Sequence, residues 1–152
     1  MYKNLSIILL ITFFLNSCGY APMYSKNIDK KYNIEFLNFD GDREINNSIK
    51  YYLKRYINKN DELKFFISTD SKYTKNSETK NLAGDTITFN LVATVTFTVS
   101  YGENKKIFEF AESSTINNLE NQLDENVYET NIKKNFAATF SDRLILQLIK
   151  IK

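Results

Sequence analysis

The stretch TITFNLVATVTFTVSY, residues Thr86–Tyr101, decides the fold of this chain. Apolar side chains alternate here with mostly polar ones, many of which carry a hydroxyl group. The apolar set is Ile87, Phe89, Leu91, Ala93, Val95, Phe97, Val99 and Tyr101, and the other set is Thr86, Thr88, Asn90, Val92, Thr94, Thr96, Thr98 and Ser100. Successive side chains of a strand point to opposite faces of its sheet. The alternation therefore predicts one long strand with one face in a core and the other in contact with water.

Further strands are predicted on both sides of this one. Alternating apolar residues indicate a strand over residues 62–73. The polar segment 74–84 that follows is expected to be a loop at the tip of a hairpin. Residues 102–104 predict a second hairpin turn, and residues 105–115 predict the returning strand.

Two amphipathic helices are predicted outside these strands. Residues 44–57 carry apolar side chains at steps of three and four, and the segment Asp40-Gly41-Asp42 before them predicts a turn and an N-cap. A second helix follows the polar residues 117–126 and runs to the end of the chain, with an apolar stripe made of Ile132, Phe136, Phe140, Leu144, Leu148 and Ile151. With a short strand over residues 32–39, the order becomes β-α-β-β-β-α. We therefore expect residues 32–152 to form a single α+β domain, a two-layer sandwich whose four-stranded, mainly antiparallel sheet is covered on one face by two helices.

The first 17 residues have the composition of an export signal. Lys3 lies in a short polar head, and residues 5–15 are almost wholly apolar. This run is too short to cross a bilayer as a helix, which takes roughly 20 residues. We expect residues 1–17 to be a signal peptide that is removed from the mature protein. The alternative is a buried helix of the domain, but the only polar residues in the run are Ser6 and Thr12, which are too few to define an outer face.

The chain's single cysteine follows this run directly. Residues 15–18, Leu-Asn-Ser-Cys, resemble the bacterial lipobox, which implies a lipid thioether on Cys18 and cleavage just before it. A lone cysteine cannot form an internal disulfide, and without histidine it cannot build a zinc site. Gly19 stands where enteric bacteria often place the Asp that retains lipoproteins at the inner membrane. The expected location is therefore the outer membrane, with residues 18–31 as the lipidated N-terminus and tether.

The composition indicates a binding protein more than an enzyme. Without Lys3 the chain has 19 cations and 18 anions, and this balance suggests no nucleic-acid partner. The absence of histidine excludes a Ser-His-Asp triad, and the sequence contains no glycine-rich phosphate loop. No residues suggest a metal or cofactor, so we expect none. An envelope hydrolase that uses two distant carboxylates is the enzymatic alternative.

The segment CGYAPMYS, residues 18–25, resembles the mature N-terminus of LptE-type lipopolysaccharide-assembly lipoproteins. That family often reads Cys-Gly-aromatic-x-Pro-Leu-Tyr-Gly, and here Met23 replaces the Leu and Ser25 replaces the Gly. The predicted order of elements also resembles the alphaproteobacterial branch of this family. The resemblance implies a plug inside a large LptD-type outer-membrane β-barrel, which inserts lipopolysaccharide at the cell surface, and it implies binding of lipopolysaccharide itself. Another lipoprotein adaptor, or a pilotin for a β-barrel or secretin, is the alternative.

Two sets of residues are candidate contacts for these partners. Threonines of the long strand form a polar, uncharged face that would suit a barrel lumen, and the candidates are Thr86, Thr88, Thr94, Thr96 and Thr98. An ordinary solvated face is the alternative, since threonine is common in strands. Lysine binds phosphate, and lipid A is phosphorylated, so the candidate lipopolysaccharide contacts are Lys72, Lys75 and Lys80. Here the alternative is a solvated loop.

Overall fold

The structure is a computed structural model that describes residues 32–60 and 62–151. Its elements are β1 (Asn33–Gly41), α1 (Arg43–Lys54), β2 (Lys64–Lys80), β3 (Thr86–Tyr101), β4 (Asn104–Asn117) and α2 (Gln122–Ile151). The predicted order β-α-β-β-β-α is confirmed. The predictions of a signal peptide, of lipidation at Cys18 and of a tether concern residues 1–31, which lie outside the described residues.

The four strands form one sheet in the order β1-β2-β3-β4. Strand β1 is parallel to β2, because α1 connects them, whereas β2, β3 and β4 are successive antiparallel neighbours. The two helices pack against each other and share one core with the sheet. The expected α+β sandwich with a mainly antiparallel sheet is therefore confirmed.

The alternation of β3 produces the predicted faces over most of its length. The buried side chains are those of Leu91, Ala93, Val95, Phe97 and Val99. Phe89 is only partly buried, and Ile87 is 47% exposed. Ile87 is therefore not a core residue, because it lies near the end of the sheet, beyond the last buried residue of its strand.

Strand β2 is longer than predicted, and the loop expected over residues 74–84 is wrong. The strand continues to Lys80 and pairs with β3 as far as Thr86, so that only residues 81–85 form the turn. Hydroxyl groups pair across the two strands in this region, Ser77 with Thr86 at 2.8 Å and Thr79 with Thr88 at 2.7 Å. The backbone ladder does not require apolar side chains, which is why the sequence pattern missed it.

Gly41 and Asp42 join β1 to α1 in a way that the sequence partly predicts. Gly41 has a φ of 92°, and a Cβ atom at this position would lie 1.7 Å from the carbonyl oxygen of Ser71. Only glycine fits there. Asp42 is the N-cap as predicted, since its Oδ1 accepts hydrogen bonds from the amides of Glu44 and Ile45 at 3.0 and 2.9 Å.

Candidate partner-binding surfaces

The sheet face opposite the helices is open over the described part of the chain. Its central strand is β3, and we call Thr86, Thr88, Thr94, Thr96 and Thr98 the threonine face. The structure places Thr88, Thr94, Thr96 and Thr98 on the side of β3 opposite the buried set, and all five threonines are at least partly exposed. The register of β3 with β4 is unbroken from Thr88 to Tyr101, which keeps these four side chains on one side, whereas Thr86 lies beyond a shift in the register of β3 with β2.

The neighbouring strands place charges beside this uncharged strip. Thr96 lies opposite Asp70 of β2 and Glu109 of β4. Thr94 lies opposite Lys72 and Ala111 in the same way. The open face therefore has a neutral hydroxyl strip along β3, with charged side chains of both signs beside it on β2 and a carboxylate beside it on β4. Hydroxyl groups can donate and accept hydrogen bonds, so this strip can meet polar groups of either kind.

The three candidate lysines are not brought together. Lys72 is exposed on the open face, opposite Thr94. Lys75 points to the helix side, where its Nζ atom lies 2.6 Å from Oε1 of Glu125 and 2.9 Å from Oε2 of Glu129. Lys80 is exposed at the last position of β2. The role of these lysines in lipid binding stays a prediction, and the structure divides them between two faces and a strand end.

A second set of charged side chains continues from Lys75 along α2. The hydroxyl of Tyr73 donates to Oε1 of Glu129 at 2.8 Å, and Nζ of Lys133 lies 4.2 Å from the centre of the Tyr73 ring. Lys133 also donates to Oε2 of Glu44 at 2.8 Å and to Oδ2 of Asp42 at 3.3 Å. We call Asp42, Glu44, Tyr73, Lys75, Glu125, Glu129 and Lys133 the ionic network.

The carboxylates of the ionic network fix the protonation state of its lysines. Burial alone would lower the pKa of Lys75, but its hydrogen bonds and charge interactions with Glu125 and Glu129 raise that pKa overall. Burial and the nearby acids have the same opposed effects on Lys133, whose pKa is also raised. The hydrogen bond from Lys75 lowers the pKa of Glu125, and burial raises the pKa of Tyr73. At neutral pH Lys75, Lys133 and Glu125 are therefore charged and Tyr73 is neutral.

The ionic network connects the sheet to the first half of α2, which has the partly buried Ile132 against the core but no fully buried residue. The buried residues of α2 begin at Phe136, so its first half contributes none. Glu125, Glu129 and Lys133 are spaced by four residues, which places them on one side of the helix. That spacing was visible in the sequence, but it gave no sign of the partners on β2.

Two further observations limit the chemistry of these surfaces. Within residues 32–60 and 62–151, no group of three or more His, Cys, Asp or Glu side chains could hold a metal ion. No helix in the same ranges is both long and apolar enough to cross a membrane.

Comparison with known proteins shows a shared fold. No protein-family model matches the sequence, and no curated protein matches it. Rare lipoprotein B from Shewanella oneidensis is similar at a TM-score of 0.54 and 15% identity, over 76% of this chain and 94% of that one. A minor lipoprotein from Acinetobacter baumannii is similar at a TM-score of 0.51 and 15% identity, over 76% of this chain and 94% of that one. Lipoprotein B from Nitrosomonas europaea is similar at a TM-score of 0.54 and 14% identity, over 78% of this chain and 86% of that one.

At this level of identity the likeness shows the fold alone. The chain therefore has a fold that occurs in bacterial lipoproteins, in agreement with the resemblance at residues 18–25.

Proposed function

We propose that this chain is an outer-membrane lipoprotein, anchored through Cys18 on the periplasmic side, that assembles with a large LptD-type β-barrel. In this proposal the domain occupies the barrel lumen as a plug and helps the barrel to insert lipopolysaccharide at the cell surface. The lipobox at residues 15–18 supports the anchor. The fold that the domain shares with bacterial lipoproteins supports the proposal that this chain is a lipoprotein.

The open threonine face is the observation that carries the proposal. The interior of a large outer-membrane barrel is polar, so a plug needs a surface that can exchange hydrogen bonds with water and with side chains of the wall. The threonine face offers hydroxyls of both donor and acceptor character in one strip. The strip itself carries no charge that would have to be buried without a partner, which is costly, and the charges of Asp70, Lys72 and Glu109 lie beside it.

The test is copurification of the barrel with variants of one residue of this face. We would tag the full chain at its C-terminus and recover it from detergent-solubilised outer membranes. Thr94→Lys places an ammonium group against the barrel wall, with Lys72 and Ala111 rather than a carboxylate directly opposite it, and should reduce recovery of the barrel at least about tenfold. Thr94→Ser keeps the hydroxyl and should recover the barrel in full.

The opposite results separate the alternatives. Full recovery of the barrel by Thr94→Lys would contradict the placement of this face against the wall. Recovery of a secretin in place of a barrel would favour the pilotin alternative. Both variants should keep the circular dichroism spectrum of the unmodified chain, because Thr94 is exposed and lies outside the core.

A further inference from the structure

The outer edge of the sheet at β4 is long and regular. The strand Asn104–Asn117 has 14 residues and pairs with β3 from Asn104 to Asn117 without a bulge. No strand within residues 32–60 and 62–151 pairs with its other side. An edge of this kind presents a row of backbone N–H and C=O groups on which another strand can form.

The opposite edge of the sheet differs in ways that discourage such pairing. Strand β1 has only 9 residues, its register shifts between Phe36 and Asn38, and it ends at Gly41 in a left-handed conformation. Short length and bulges are features that natural sheets use to protect an edge. Strand β4 has neither of them, and it contains no proline.

Charge protects only one end of β4. Lys105 and Lys106 stand at its beginning. In residues 111–117 the single charged side chain is Glu112, and it is paired with Arg143 of α2. The second half of the edge is therefore free of uncompensated charge.

We propose that the β4 edge pairs antiparallel with the β4 edge of a second copy of this chain, so that two sheets become one. A two-fold axis perpendicular to the sheet keeps the two open faces on the same side, and it places one residue opposite itself. With Phe110 at that position, all but one of the 14 residues of each strand are paired. This inference does not rest on the proposed function, and it concerns the chain when it is not seated in a barrel.

The side chains favour the register centred on Phe110. Phe110 is partly buried against the core, and two such rings would meet across the axis as an aromatic pair, which stabilises strand pairing. Glu109 would lie opposite Ala111 of the other copy, and no like charges would face each other. A shift of one residue to a centre at Glu109 would place two carboxylates directly opposite, which is unfavourable.

Substitutions at Ala111 test the pairing and its register together. Ala111 is exposed, so its replacement should leave the monomer folded, as melting followed by circular dichroism would verify. The oligomeric state of the full chain in detergent would be measured by light scattering, and a dimer is expected. Ala111→Glu opposes Glu109 twice and should weaken the dimer at least about tenfold. Ala111→Lys replaces that repulsion by attraction and should leave the dimer as tight or tighter.

Disulfide formation provides the second measurement. Two differently tagged full-length proteins, each also carrying Cys18→Ser, would contain either Glu109→Cys or Ala111→Cys. Directly opposite residues lie about 4.5–5.5 Å apart between Cα atoms, which is within disulfide range. The mixed disulfide should therefore form in excess of either homodimer.

Each contrary result would overturn the proposal. These results are a monomer at every concentration tested, equal dimer affinity for Ala111→Glu and Ala111→Lys, and mixed disulfides no more abundant than the homodimers.

Discussion

The Nζ atom of Lys75 on β2 lies 2.6 Å from Oε1 of Glu125 on α2, and this ion pair joins the sheet to the half of the helix that has no buried residue. The side chain of Lys75 is 25% exposed and that of Glu125 is 12% exposed, so the pair is partly shielded from water. Surface ion pairs contribute little to stability, but shielded ones leave an unpaired charge when one partner is removed. The first half of α2 should therefore depend on this pair for its position.

Lys75→Met should loosen the beginning of α2. It leaves Glu125 and Glu129 facing each other without a cation, and we expect a loss of about 1–3 kcal/mol in the free energy of unfolding. Hydrogen exchange of the amides in residues 122–135 should become faster, whereas exchange in residues 136–151 should change little. The matched control is Lys72→Met, on the same strand but on the open face, which should alter neither region. Equal effects of the two substitutions would contradict the anchoring role.

The same ion pair should give a defined pH dependence. The pKa of Glu125 is lowered by its hydrogen bond from Lys75, so its contribution to stability is complete above about 4.5, the ordinary value for glutamate. It is lost as the pH falls through the lower pKa of the folded state. The pKa of Lys75 is raised, so its contribution is complete below 10.5 and is lost as the pH rises beyond that value.

Thermal unfolding at a series of pH values would measure this dependence. The stability difference between the unmodified chain and Lys75→Met should be constant between about pH 5 and 10 and should shrink on the acid side. A difference that grows as the pH falls below 4.5 would contradict the assignment.

Burial in β3 gives a second prediction about stability. Phe97 is completely buried, whereas its neighbour Thr96 is on the open face. Phe97→Ala should cost about 3–5 kcal/mol through lost burial and the cavity left behind. Thr96→Ala should cost well under 1 kcal/mol. Denaturant unfolding of the two variants measures both values, and equal costs would mean that the two faces of β3 are assigned the wrong way round.

The sequence predicted those parts of the fold in which burial leaves a pattern. The period of two in β3 and the apolar stripe of α2 are visible because one side of each element lies in the core. The second half of β2 shows no such pattern. The hydroxyls of Ser77 and Thr79 pair with those of Thr86 and Thr88 on β3, and backbone hydrogen bonds hold the two strands together. A polar strand of this kind is indistinguishable from a polar loop when only composition is considered.

The incorrect prediction of a loop over residues 74–84 also hid the ionic network. Glu125, Glu129 and Lys133 have helical spacing in the sequence, so their position on one side of α2 could be predicted. Lys75 was assigned to a loop, and a residue in a loop has no predictable face. Only the continuation of β2 to Lys80 places Lys75 on the side of the helices and Lys72 on the other side.

Gly41 offers a test of the junction between β1 and α1. Gly41→Ala should destabilise the domain by more than about 3 kcal/mol, because the new Cβ would collide with the Ser71 carbonyl oxygen and would also suffer the strain of the positive φ. Gly84 has the same φ of 92° but no atom near the position of a Cβ. Gly84→Ala therefore carries the strain alone and should cost clearly less. Thermal unfolding compares the two, and similar losses would show that the close contact with Ser71 is unimportant.

Lipidation at Cys18 remains a prediction that mass spectrometry can decide. Protein extracted from membranes should begin at Cys18 and carry the mass of its acyl chains. Cys18→Ser should release the chain from the membrane fraction and leave the melting temperature of the domain unchanged. An N-terminus at Met1, or an unmodified thiol, would contradict the lipobox assignment.

The placement of the three lysines changes what is expected of lipopolysaccharide binding. Lys75 already has two carboxylate partners, so its charge is compensated within the protein. Lys72 and Lys80 are exposed and are the better candidates for contacts with the phosphates of lipid A. The double substitution Lys72→Gln with Lys80→Gln should weaken binding of purified lipopolysaccharide several-fold at low salt, and the difference should fall as salt screens the charges. Lys75→Gln should have a smaller effect on binding and a larger one on stability. Unchanged binding by the double variant at low salt would show that the two lysines are only solvated side chains.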